Sequence, residues 1–161
     1  MKYQDALRED GARAFARGVG IVVGSWIATA LFCLQMSFTA YAQLRLPQVA
    51  EAFTHLGFPD YFRVELAYAK LLGVALLLAP APARLKEWAY AGFAIDLGSA
   101  LIAHLAVGDG PEAWGWAAAT GVLGALSYFF WRRVQSRDRM RQRDAVLPIL
   151  TNHTQISGRK P

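Results

Sequence analysis

Four long apolar stretches, at 19–38, 61–79, 88–107 and 113–131, constrain this chain more than any other feature. Each is close to the ~20 residues that a helix needs to cross a hydrocarbon core. Core helices of soluble proteins are shorter and keep a polar face; these keep almost none. The expected fold class is all-α: an integral membrane four-helix bundle. The 161 residues leave room for one such domain. We place an N-terminal tail at 1–18, the membrane domain at 19–133, and a basic tail at 134–161 that is expected to be disordered, above all from 145 onward.

The charge pattern sets an orientation. With the N-terminus in the cytoplasm, fourteen of the 17 basic residues fall on that side. They sit in the first tail (Lys2, Arg8, Arg13, Arg17), the loop after the second stretch (Arg84, Lys86) and the last tail, including Arg132, Arg133 and Arg137. The loop at 108–112 has Asp109 and Glu112 and no base. An even number of spans with both termini cytoplasmic satisfies the positive-inside rule. The net charge of +5 is thereby explained without nucleic acid as a partner. We expect a multi-pass protein of the cell (inner) membrane whose first partner is the lipid bilayer.

Several local signals refine this outline. Ala40-Tyr41-Ala42 has the small-x-small form of a signal cleavage site, but the apolar run before it is longer than a signal h-region, so the stretch is read as a retained span. Gly20-x-x-x-Gly24 is a spacing for close helix approach, and Ala117, Gly121 and Ala125 form a small-residue stripe expected to pack on a neighbour. Residues 47–57 read as a short amphipathic helix with Val49, Ala52, Phe53 and Leu56 on one face, lying in the outer interface. Trp88, Tyr90, Tyr128 and Trp131 inside, with Trp114 and Trp116 outside, form an aromatic belt. The arginines of 137–143 suit anionic headgroups, at ~1 kcal/mol per basic residue. The one cysteine, Cys33, reads as packing, and with no C-x-x-C pair thiol–disulfide chemistry is not expected.

In stretches this apolar an ionisable residue requires a reason, since a central Lys or Asp costs ~2.5–3.5 kcal/mol even on the lenient insertion scale. Four stand out: Glu65 and Lys70 in the second stretch, Asp96 and His104 in the third. Lys70 lies about nine residues in from one side and Asp96 about eight from the other, so at 1.5 Å per residue both reach the middle. Antiparallel neighbours would pair them. Glu65 with His104 is the expected second tier, although Glu65 and Lys70 stand about 140° apart around their helix. The cluster reads either as a polar site, for the head of a quinone or another small apolar molecule or for protons, or as an ion pair that fixes helix register. A haem on two histidines is excluded because His55 and His153 lie outside the stretches, and no cluster has metal-ligand spacing.

The run Lys86-Glu87-Trp88-Ala89-Tyr90-Ala91-Gly92-Phe93, with Asp96, Ala100, His104 and Gly108-Asp109 after it, resembles the DoxX-like family of small bacterial membrane proteins. The runs 55–62 and 70–73 resemble it too, so the likeness covers roughly 20–133 and leaves the tails out. The resemblance implies a four-helix membrane bundle. Founding relatives of the family are associated with a membrane thiosulfate:quinone oxidoreductase, others with redox stress or with assembly of membrane partners. Fold-level likeness does not assign a reaction. The first expectation is an accessory or structural subunit that supports a membrane redox or assembly partner, with no cofactor of its own. The alternatives are a quinone-binding oxidoreductase component and a small-solute or proton carrier.

Overall fold

The computed structural model describes residues 2–157. Five helices make up the fold: α1 (Lys2–Arg45), α2 (Pro47–His55), α3 (Asp60–Leu78), α4 (Ala83–Ala106) and α5 (Pro111–Ser157). No strand occurs among the described residues. Two helices are long and apolar enough to cross a membrane, over Phe15–Arg45 and Ala83–Ala106. The short amphipathic helix at 47–57 is present as α2. A tail expected to be disordered is instead helical as far as Ser157, with 158–161 outside the described residues. Residues 134–147 contain neither Gly nor Pro and are rich in Arg, with Gln135 and Gln142, and these residues propagate a helix already nucleated.

Prolines and two glycines set the boundaries. Pro47 opens α2 in its first turn, where a missing N–H costs nothing. Gly57 (φ +79) and Gly108 (φ +80) close α2 and α4 in the left-handed region. Each end is a Schellman motif. Phe58 N–H reaches Phe53 C=O at 2.9 Å and Gly57 N–H reaches Thr54 C=O at 3.0 Å; after α4, Asp109 N–H reaches His104 C=O at 3.0 Å and Gly108 N–H reaches Leu105 C=O at 3.2 Å. The C-terminal turns of α1 and α3 are met by cations. Arg63 Nη1 donates to Gln43 C=O in the last turn of α1, and Lys86 Nζ donates to Leu77 C=O at the end of α3 at 2.7 Å. Both place positive charge on the negative end of a helix dipole.

The chain divides into two units, Trp26–Tyr128 and Met1–Ser25 with Phe129–Pro161. In the first, Phe32 is the centre of the core, edge-on to Phe93 at 5.2 Å and stacked with Tyr90 at 6.3 Å. Glycines admit these rings: a Cβ on Gly124 would come within 2.8 Å of Phe32, and one on Gly73 within 2.6 Å of Phe93. Tyr90, expected in the aromatic belt, is buried; its hydroxyl meets Ser127 Oγ at 2.7 Å, and Ser127 Oγ meets Thr29 Oγ1 at 2.9 Å. Burying the ring costs little once its hydroxyl has a partner. Cys33 is buried in the same layer.

In the second unit Phe129 and Phe130 meet edge-on at 5.7 Å, the Arg133 guanidinium lies over Phe129 at 4.6 Å, and Phe130 is 3.9 Å from where a Gly24 Cβ would stand. Gly20 faces open space, so the Gly20-x-x-x-Gly24 spacing does not mark a close crossing here.

Several polar side chains are buried beside the aromatic core, while many large apolar side chains face outward. Ser25, Gln43, Lys70, Thr120 and Ser127 are buried, whereas Trp26, Leu34, Leu72, Ile95, Ile102 and Val122 are each more than 60% exposed. Soluble monomers do not carry apolar surface on this scale.

Candidate functional site

Antiparallel packing of α3 and α4 brings the ionisable residues together in tiers. Lys70 Nζ stands 3.4 Å from Asp96 Oδ2, with the two side chains 9% and 10% exposed. The pairing expected from their depths is present. It is an ion pair without hydrogen-bond geometry, because Asp96 Oδ2 is buried and accepts no hydrogen bond. One turn away Gly73 takes the ring of Phe93, so the same register fixes both contacts.

The second tier differs from the expected one. Glu65 is exposed and, among the described residues, has no hydrogen-bond or ion-pair partner. With Lys70 turned inward, the 140° separation turns Glu65 out. His104 binds Asp109 instead: Nδ1 to Oδ2 at 2.6 Å, while His55 Nε2 reaches Asp109 Oδ1 at 2.9 Å. An ionised carboxylate only accepts, so both rings direct N–H at Asp109. These donors, His104 first and His55 second, hold the Asp109 carboxyl below the usual carboxylate range. The Schellman turn at Gly108 puts Asp109 beside His104, and the end of α2 brings His55 to the other oxygen.

Between the two tiers lies a cavity of about 760 Å³ within the Trp26–Tyr128 unit. Its size is that of small-molecule sites in general. Lys70, Asp96 and His104 line it, together with Gln43 from α1 and Thr120 from α5. Thr39 and Ser99 add two more hydroxyls, and the rest of the wall is apolar. All four residues of the α2 apolar face, Val49, Ala52, Phe53 and Leu56, belong to it. The face expected to lie on the outer interface therefore turns inward and roofs the cavity, since it buries more apolar area against the helices. Sequence reasoning missed Gln43, His55, Asp109 and the capping role of Arg63; the shared end of the bundle implied by 55–57 and 108–109 is the one signal that pointed to His55 and Asp109.

A second cavity, of about 680 Å³, opens between α4 and α5. Ala117, Gly121 and Ala125 line it rather than pack on a neighbouring helix, and a Cβ on Gly121 would meet nothing within 4 Å. Among the described residues no group of three His, Cys, Asp or Glu side chains could hold a metal ion.

An apolar exterior, helices able to cross a membrane and a few polar side chains buried within an apolar core define an all-α membrane protein. The chain belongs to the DoxX-like family, which matches residues 27–130 and so includes the whole of α2, α3 and α4. No curated protein and no solved structure matches it.

Proposed function

We propose that this DoxX-like membrane protein binds a small, mostly apolar molecule with one polar end, in the cavity that α2 roofs. The observation that carries the reading is the placement of a buried Lys70–Asp96 pair on the wall of a 760 Å³ space lined mostly by apolar side chains. A pair that only fixed register would gain by having its surroundings filled with side chains. A quinone is one molecule of this kind. Lys70 would donate to its head, Asp96 would hold that ammonium in place, and Phe53 and Leu56 would cover the rest.

The reading includes four spans with both termini in the cytoplasm, in the inner membrane. α3 supports this: its 19 residues reach about 28 Å. Its charges at Arg63, Glu65 and Lys70 keep it from qualifying by composition, yet Lys70 is paired and Arg63 caps α1. The basic residues on one side of the chain support the orientation.

An accessory role beside a membrane partner is the second reading, and the open α4–α5 groove with its small-residue floor favours it. Small-residue faces are where membrane helices approach closely.

The test is extraction of the protein from native membranes into lipid discs without detergent, followed by mass spectrometry of the organic extract. The binding reading predicts a stoichiometric small molecule that is lost when Phe53→Trp fills the cavity. Bulk lipid alone, equal in both preparations, would remove the binding reading and leave the accessory one.

A further inference from the structure

The unpaired polar atoms beside the cavity have a chemical sign. Four buried side-chain atoms among the described residues lack a hydrogen bond: Gln35 Nε2, Gln43 Oε1, Arg63 Nε and Asp96 Oδ2. The two nitrogens, both donors, belong to residues that do not line the cavity. The two oxygens, both acceptors, belong to residues that do. Gln43 is 5% exposed, and the Asp96 side chain 10%. Asp96 Oδ2 has the Lys70 ammonium 3.4 Å away but no hydrogen bond, and Gln43 Oε1 has neither; a buried acceptor left without a donor is costly.

We infer that the polar end of the bound molecule is a hydroxyl, which donates to the Gln43–Asp96 side of the cavity. This rests on the binding reading above and narrows its ligand class. Lys70 already supplies donors there, so an acceptor-only head, a ketone, a quinone carbonyl or an ether, would meet Lys70, leave Gln43 Oε1 bare and leave Asp96 Oδ2 with the ammonium alone. A hydroxyl both donates and accepts. It satisfies one of the oxygens while taking a hydrogen bond from the ammonium. Phenols, long-chain alcohols and the hydroxyl form of a quinone fit; their O-methylated counterparts do not. The apolar wall built from Phe53, Leu56 and Leu66 sets the tail as hydrocarbon.

The full chain in lipid discs is tested with two probes that differ by one methyl group, 4-nonylphenol and 4-nonylanisole, at pH 7, where the phenol is neutral. Equilibrium binding is corrected against empty discs. The expected result is about tenfold or more tighter binding of the phenol, the worth of one hydrogen bond to a buried or charged acceptor. In Gln43→Met, which keeps the side-chain volume, or in Asp96→Asn, that ratio shrinks. Equal binding of the two probes to the wild type overturns the hydroxyl inference and leaves the cavity reading intact, with water satisfying the oxygens. Binding of neither probe above empty discs overturns the cavity reading itself. A phenol preference untouched by both substitutions would arise elsewhere and would also overturn the inference.

Discussion

Phe93 lies over Gly73 one helical turn from the point where Asp96 meets Lys70. The two contacts share a single antiparallel register, so sliding α4 along α3 by even one turn would separate the charges and drive the ring into a side chain. An apolar contact and an ionic one thus specify the same alignment, which suits a wall that must keep its polar groups at fixed height.

The ion pair should behave as a unit. Lys70→Met or Asp96→Leu alone leaves an uncompensated charge in a buried site and should cost ~3–5 kcal/mol. The double variant Lys70→Met/Asp96→Leu should return to within ~1 kcal/mol of the wild type, because a well-packed apolar pair is commonly neutral. Thermal unfolding in lipid discs, monitored by the tryptophans, measures all three. Binding of the proposed ligand should not return with stability in the double variant.

The glycine contact should be as specific. A Cβ at 73 would stand 2.6 Å from Phe93 Cζ, and Phe93 is buried and packed edge-on against Phe32. Gly73→Ala should therefore lose ~1–3 kcal/mol, the usual cost of overpacking. Phe93→Leu in the same chain should recover most of it, as a thermal-shift comparison of the single and double variants would show.

Glu65 should be silent. It is exposed and unpartnered among the described residues, so Glu65→Gln should change stability by less than ~0.5 kcal/mol. A loss like that of Asp96→Leu would return Glu65 to the polar cluster.

The clasp between α2 and the α4–α5 loop should open only in strong acid. Asp109 is held below the usual carboxylate range, by the hydrogen bond from His104 and then the one from His55. Its contribution is complete above the unfolded carboxyl value of ~3.9 and is lost as the pH falls through the lower folded value. Spin labels at Thr54→Cys and Glu112→Cys, with Cys33→Ala, should keep a narrow distance distribution from pH 8 down to about pH 4 and broaden only in stronger acid, below the usual carboxylate range. Asp109→Ala should broaden it throughout.

Depth counting found the Lys70–Asp96 pair because an antiparallel hairpin closed by Pro80 and Pro82 leaves little freedom in register. It failed for His104. There the partner lies in the turn after its own helix, at a position fixed by the left-handed Gly108 rather than by helix periodicity. Periodicity identified the apolar face of α2 residue by residue, yet could not say whether lipid or protein would cover it. Tyr90 went to the core and not the belt because Ser127, on a distant helix, offers its hydroxyl a partner. Gln43 carried no sequence signal at all; its importance lies in a buried amide oxygen that has no hydrogen-bond donor among the described residues.

The most direct test of the central claim is photo-crosslinking with a nonylphenol bearing a diazirine on its tail, in lipid discs, with the labelled residues mapped by tandem mass spectrometry. A ligand beneath α2 predicts labels concentrated at 49–58 and on the cavity-lining residues of 92–104, and their disappearance under excess unlabelled 4-nonylphenol. Labels spread over outward residues such as Trp26, Leu34 and Ile102, and unaffected by competitor, would contradict it and leave the cavity without a ligand of this class.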